Sequence, residues 1–231
     1  MSDDEQRFHP PGLTLVHDIS AARWVEQSLG QEFAHVVSLI PGGFARYGRL
    51  FHPARNRHGE RVRWAEVAAW SGRTVHPLMA FERISAPASG YGAGVAPWIE
   101  EPNQGSLDSD DVIALADFLA NFTDTPQRSF FAVWEGYGQF TPGAMVSFSF
   151  SESGAEPKVP VPEPQIPVPP AEVLTAERLT GVGRDYVLYA GPLSAVTSFD
   201  VNLWDSPNIW WPEDRKWCVA TDYRFGLHLR G

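Results

Sequence analysis

A single cysteine, Cys218, is present in the 231 residues, so no disulfide can form within the chain and a reducing, cytoplasmic setting is expected. No apolar run approaches the ~20 residues that span a bilayer. The N-terminus, Met1-Ser-Asp-Asp-Glu-Gln, lacks the basic-then-apolar order of a secretory signal. Positive charge is scarce as well: 18 Lys and Arg face 28 Asp and Glu, for a formal net charge of −10. That field repels phosphate backbones and anionic lipid, so neither nucleic acid nor a membrane surface is an expected partner.

Catalytic signatures are missing too. The glycines of Gly90-Tyr-Gly-Ala-Gly94 and Gly181-Val-Gly183 lack the spacing and strand-to-helix context of a phosphate or dinucleotide loop. Seven histidines are available, yet His52 and His58, the closest pair, match neither a helical face nor a zinc knuckle. His52 and His76 each precede a proline and read as turn residues. Cys218 sits in the apolar run Trp217-Cys218-Val219-Ala220, where a thiol behaves as a small hydrophobe. No metal and no cofactor is therefore expected.

Aromatics are abundant, with 9 Trp and 14 Phe, and they supply a core to a chain long enough to bury one. Helical spacing predicts three helices. One runs over Ala21 to Leu29, capped by Ser20 and ended at Gly30. A second covers Val62 to Trp70, before Gly72. The clearest starts at Asp108 or Ser109, with acids in its first turn and the apolar stripe Val112, Leu115, Ala116 and Leu119. Strand patterns occur at His35–Ile40 and Phe44–Phe51 around Pro41-Gly42-Gly43, then at Ser129–Trp134, Met145–Phe150, Arg184–Tyr189 and Lys216–Asp222. A helical turn follows Gly191-Pro192.

Residues 154–171 are proline-rich, with seven prolines between Pro157 and Pro170. Such a run favours polyproline II at ~3.1 Å per residue, a reach of roughly 40 Å. Pro157-x-x-Pro160 and Pro164-x-x-Pro167 fit the minimal ligand of proline-binding modules, but with few basic neighbours the run reads as a stiff spacer. The stretch beyond it is too poor in elements for an independent core. The expectation is a flexible N-terminus over 1–12 and one α+β domain over 13–231. That domain would have a largely antiparallel sheet, about three helices and the proline-rich excursion inside it.

Two functional readings follow. Pro207 to Asp222 holds Trp210 and Trp211 between prolines, then the turn of Asp214 and Arg215, then an apolar strand. It can be an aromatic plug over a sheet edge, or a recognition surface, since Trp and Arg anchor interfaces. The main expectation is a soluble, non-catalytic binding or accessory protein that meets a protein partner through aromatic surface, with Trp210, Trp211, Asp214, Arg215, Trp134 and Glu135 as candidate binding residues. The alternative is a hydrolase with a carboxylate site near Trp134 and Glu135, or near Trp98, Glu100 and Glu101.

Three motifs, VRWAEVAA over 62–69, FAVWEGYG over 131–138 and PNIWWPEDRKWCVATD over 207–222, resemble an uncharacterised bacterial family, to which no activity or ligand is attached. The resemblance covers most of the chain. Members of that family continue past the Ala-Thr-Asp strand into a Thr-Tyr-Val-Gly-Gly stretch and a further helix, whereas here Leu227-His-Leu-Arg-Gly231 stands. The resemblance thus implies a shifted reading frame at this end, with a strand and a helix lost. The genomic DNA downstream decides that expectation.

Overall fold

The computed structural model describes residues 8–30, 32, 38–90, 92, 94–103, 105–137, 140, 168–202 and 206–221. The expected strand Met145–Phe150, residues 35–37 of the expected strand His35–Ile40, most of the proline-rich run, residues 1–7 and the residues from 222 onward lie outside them. The remaining residues 38–40 form no strand.

The architecture is α+β. Six strands form an antiparallel sheet: β1 (Thr14–Leu15), β4 (Ser129–Trp134), β5 (Leu179–Gly181), β6 (Arg184–Gly191), β7 (Ile209–Pro212) and β8 (Val219–Ala220), in the order β1-β6-β4-β7-β8. Along one edge, β4 pairs with six of the eight residues of β6, from Ser129 opposite Gly191 to Trp134 opposite Tyr186. The other edge of β6 is shared by β1 and β5. Strands that follow the proline-rich run therefore pair with strands that precede it. A separate hairpin joins β2 (Ala54–Arg55) to β3 (Arg61–Val62).

All three expected helices are present as α1 (Arg23–Ser28), α2 (Trp64–Ser71) and α4 (Ser109–Ala120), with two short additions, α3 (Phe81–Ser85) and α5 (Ala171–Thr175). In α2 the Glu66 carboxylate accepts the Arg63 N–H at 2.7 Å, and Gly72 closes the helix at φ 71°, a left-handed position that suits glycine. Asp18, rather than Ser20, caps the first helical segment: its carboxylate accepts the Ser20 N–H at 2.8 Å at the head of a 3-10 turn, Ile19–Ala21. Asp108 stands at the head of α4, but its carboxylate turns to Arg55 and to Asn103 instead of capping. The turn after Pro192 is a longer 3-10 segment, Leu193–Asn202.

The sheet is buried on both faces. Phe131, Val133, Val187, Tyr189 and Trp210 point to one side, under α4, α5 and the Leu193–Asn202 segment. Phe130, Ala132, Tyr186, Leu188 and Trp211 point to the other, under Ile19, Val25 and Leu29. Alternate residues of one strand thus enter two cores, which is why the central strands read as unbroken apolar runs. A third cluster gathers Ala54, Val62, Trp64, Val67, Met79, Phe81 and Ile84 around the hairpin, α2 and α3. Arg55 reaches Asp108, and Arg61 reaches Asp111 at 2.6 Å, tying that hairpin to the start of α4.

Three expectations need correction. Phe44–Phe51 forms no strand. Its rings pack on other elements and on each other: the Phe44 ring centroid lies 6.2 Å from that of Trp24 and 6.3 Å from that of Tyr47, and that of Phe51 lies 4.4 Å from that of Trp64. Lys216–Asp222 shortens to Val219–Ala220, because Arg215 adopts φ 56° and the chain is still turning at Lys216. Trp210 and Trp211 do not cover a sheet edge. They belong to β7, paired with β4 on one side and β8 on the other.

Candidate functional site

Trp210 and Trp211 are 0% exposed. Trp211 stacks on Phe130, with centroids 5.6 Å apart and planes at 22°, and meets Trp24 edge to face at 5.8 Å. On the opposite face Trp210 meets Trp217 edge to face at 5.4 Å. Among the described residues, the indole nitrogens of Trp24, Trp210 and Trp211 are buried without a hydrogen-bond partner. Neither Trp210 nor Trp211 can touch a partner while the sheet is closed. That corrects their place in the expected recognition surface.

Asp214 and Arg215 form the β7–β8 turn. The Asp214 carboxylate accepts the Thr123 hydroxyl at 2.8 Å and the Asp124 N–H at 2.7 Å. Desolvation alone would raise its pKa. The hydrogen bonds from Asp124, Thr123 and the Lys216 N–H, with the Lys216 ammonium, outweigh that and hold it below the usual carboxylate range. The Arg215 guanidinium lies 5.4 Å from the centroid of the Trp24 ring. Both side chains fasten the turn to its surroundings.

Trp134 and Glu135 sit at the far end of β4. The Trp134 N–H donates to the Asn208 carboxamide at 2.8 Å, which extends the β4–β7 ladder by a side chain, and Arg184 lies over its ring at 5.1 Å. Glu135 pairs with Arg178 at 2.5 Å, and Arg178 also donates to the Ala176 carbonyl at 2.6 Å. Glu100 belongs elsewhere: its backbone bridges Arg55 of β2, and its side chain is exposed along with that of Glu101. The two acidic stretches imagined for a hydrolase thus lie on different substructures, the sheet and the hairpin. Trp98 packs edge to face on Trp70 at 5.0 Å and on Phe81 at 5.7 Å.

Cys218 is only partly buried as a residue, but desolvation of its sulfur pushes the thiol well above its ordinary value and makes it a poor nucleophile. Burial also lowers the His52 pKa, against the opposing pull of the Asn103 backbone and the Asp108 and Asp111 carboxylates. Among the described residues no group of three or more His, Cys, Asp or Glu gathers as a metal site. A cleft of about 160 Å³ lies between Glu26, Leu29, Thr180, Gly181 and Val182, below the ~300 Å³ at which small-molecule sites begin. Its Glu26 carboxylate already accepts the Thr180 N–H at 2.9 Å.

Exposed aromatic side chains lie elsewhere: Tyr47, 59% exposed beside Phe44, and a pair at the end of α4. Phe118 and Phe122, 60% and 53% exposed, stand at the C-terminal end of α4 with centroids 4.9 Å apart. Ile113, 46% exposed, and Ala114 add to the same outer face. A signal for this was present in the sequence: Phe118 falls off the apolar stripe of Val112, Leu115, Ala116 and Leu119, on the side left to solvent. No family model, no curated protein and no solved structure matches the chain. Among the described residues, no helix is long and apolar enough to cross a membrane.

Proposed function

We propose that this chain is a non-catalytic binding or accessory protein that engages a protein partner through exposed aromatic side chains. The observation that carries the reading is the Phe118–Phe122 pair: two phenylalanines in mutual contact, each more than half exposed, on a helix whose other face is fully used by the core. Single exposed apolar residues are ordinary on protein surfaces, and it is their gathering into a contiguous patch that favours an interaction site. The surface thus moves from the tryptophans of β7 to the phenylalanines of α4. The state of Glu135 supports the same reading, because a carboxylate held by Arg178 at 2.5 Å suits a structural tie better than a general acid.

The test places a photo-crosslinking residue at Ala114, beside the pair, and at Arg57, an exposed position on the β2–β3 turn. In extract of the source cells, Ala114 should yield a discrete cross-linked protein that Arg57 does not. The product should vanish in the Phe118→Ser/Phe122→Ser double variant. Equal labelling at both positions, or none at Ala114, refutes the reading.

A further inference from the structure

The outer face of α4 also carries information about the chemistry of its partner. At about 100° per residue, Ile113, Asp117, Asp110, Asn121, Ala114 and Phe118 follow one another around the arc that faces away from the core. Two carboxylates therefore lie between an apolar flank at Ile113 and the aromatic flank of Phe118 and Phe122.

Of the two, Asp117 has no charged neighbour among the described residues, while Asp110 stands in the first turn of the helix and feels only the more distant charge of Arg61. Asp108 and Asp111, at the start of the helix, are paired with Arg55 and Arg61. Asp110 and Asp117 enter no ion pair among the described residues, and both are exposed. The helix has no Lys or Arg anywhere along Ser109–Ala120, and none in its last turn, where a cation would offset the negative end of the helix dipole. The nearby cations are already engaged: Lys216 with Asp124 at 2.5 Å, and Arg128 with Glu213 at 3.1 Å. Taken with a net charge of −10, the patch is apolar at its rims and negative along its middle, and its end is capped by the neutral donors of Asn121 and Trp217 without any cation.

We infer that the α4 face binds a cationic amphipathic segment of a partner protein, one that sets apolar side chains on Phe118, Phe122 and Ile113 and Lys or Arg side chains against Asp110 and Asp117. This rests on the reading of α4 as a protein-binding surface and adds the chemistry of what it binds. Apolar contact supplies the affinity, and the acids select the sign of the partner and speed the encounter. A second copy of this chain is disfavoured as the occupant, because two such faces would set acids against acids.

The probes are two fluorescent peptides with the same amphipathic helical repeat, one of Leu and Lys and the other of Leu and Glu. Fluorescence anisotropy with the intact chain should show binding of the Leu/Lys peptide and none of the Leu/Glu peptide. The affinity should fall as ionic strength rises from about 10 to 150 mM. Phe118→Ser/Phe122→Ser should weaken binding at least about tenfold. Asp110→Asn and Asp117→Asn should each weaken it about threefold and flatten the salt dependence. The charge-matched pair Asp185→Asn and Glu60→Gln, exposed on other elements, should leave it unchanged.

Equal losses from the two charge-matched sets would mean attraction to net charge alone and would overturn the inference. So would failure of the Leu/Lys peptide to bind, equal binding of the Leu/Glu peptide, or sedimentation showing a dimer that Phe118→Ser/Phe122→Ser dissolves. A partner cross-linked at Ala114 through an acidic or uncharged segment would refute the cationic assignment while leaving the binding reading intact. Absence of any cross-linked partner would sink the binding reading itself.

Discussion

Replacing Trp211 with alanine tests the placement of β7 inside the sheet. The side chain is 0% exposed, and a tryptophan in that state hides about 150–250 Å² from water. At ~25 cal/mol per Å² this corresponds to roughly 4–6 kcal/mol, close to the ~3–5 kcal/mol that large-to-small aromatic replacements cost in packed cores. A tryptophan on the surface would change stability by only about ±0.5 kcal/mol. The two placements therefore differ by several kcal/mol out of the ~5–15 that hold a domain together. Trp211→Phe sharpens the test. The indole N–H of Trp211 has no partner among the described residues, so the smaller ring should cost only about 1–2 kcal/mol, from lost area and imperfect fit. Trp64→Phe is the contrasting case, since the Trp64 indole donates to the His52 carbonyl at 2.7 Å and losing that bond adds about 1 kcal/mol. The assay is urea unfolding followed by tryptophan fluorescence and by circular dichroism, with the change read from the midpoint at constant slope. A cost below about 1 kcal/mol for Trp211→Ala, with the slope unchanged, would refute the buried strand.

Asp214→Asn should cost on the order of 1 kcal/mol at pH 7, through the bonds from Thr123 and Asp124. Because the folded carboxyl titrates below its unfolded value, its contribution is complete above about pH 3.9 and fades as pH falls through the folded pKa. A stability gap that stays the same down to the most acidic pH at which the chain folds would refute this. Cys218 should react with iodoacetamide at pH 8 at least about tenfold more slowly than a free cysteine, and at the full rate in urea, since burial raises its pKa; fast labelling of the folded chain would place the thiol in solvent. Asn208→Ala should cost about 1–3 kcal/mol, because the Trp134 N–H loses the carboxamide it donates to at 2.8 Å; a neutral result in the same urea assay would show that the contact contributes nothing.

The helices were legible because each shows one apolar side to a single core. Val112, Ala116 and their neighbours repeat at helical spacing, and α4 begins at Ser109, within the expected start. β4 and β6 were legible as compact apolar runs. β7 was not, and the reason is physical. It is only four residues long, Ile209–Pro212, too short to show as an apolar run, and Pro212 reads as a strand breaker. The proline is tolerated at the strand's last position, where it faces Ser129 of β4. Phe44–Phe51 misled in the opposite way, since its apolar residues alternate only imperfectly and Phe44 and Phe51 fill gaps beside Trp24 and Trp64 without any ladder. As for the site, composition reveals aromatic wealth but not which rings face water. The tryptophans of 207–222 drew attention by their rarity, while Phe118, one residue off a clean stripe, reached the surface.

The perpendicular tryptophans have a consequence for spectroscopy. Trp24 and Trp211 cross at 85°, and Trp210 and Trp217 at 83°, one pair on each face of the same strand. Indoles this near share their excited states, and the coupled transitions add rotational strength in the far ultraviolet, where helix content is normally read. Part of the dichroism of the folded chain is then a signature of how its rings are arranged, and it vanishes when β7 leaves the sheet even if every helix survives. A helix fraction fitted from such a spectrum will be distorted. The loss of that band will date the parting of the two tryptophan pairs.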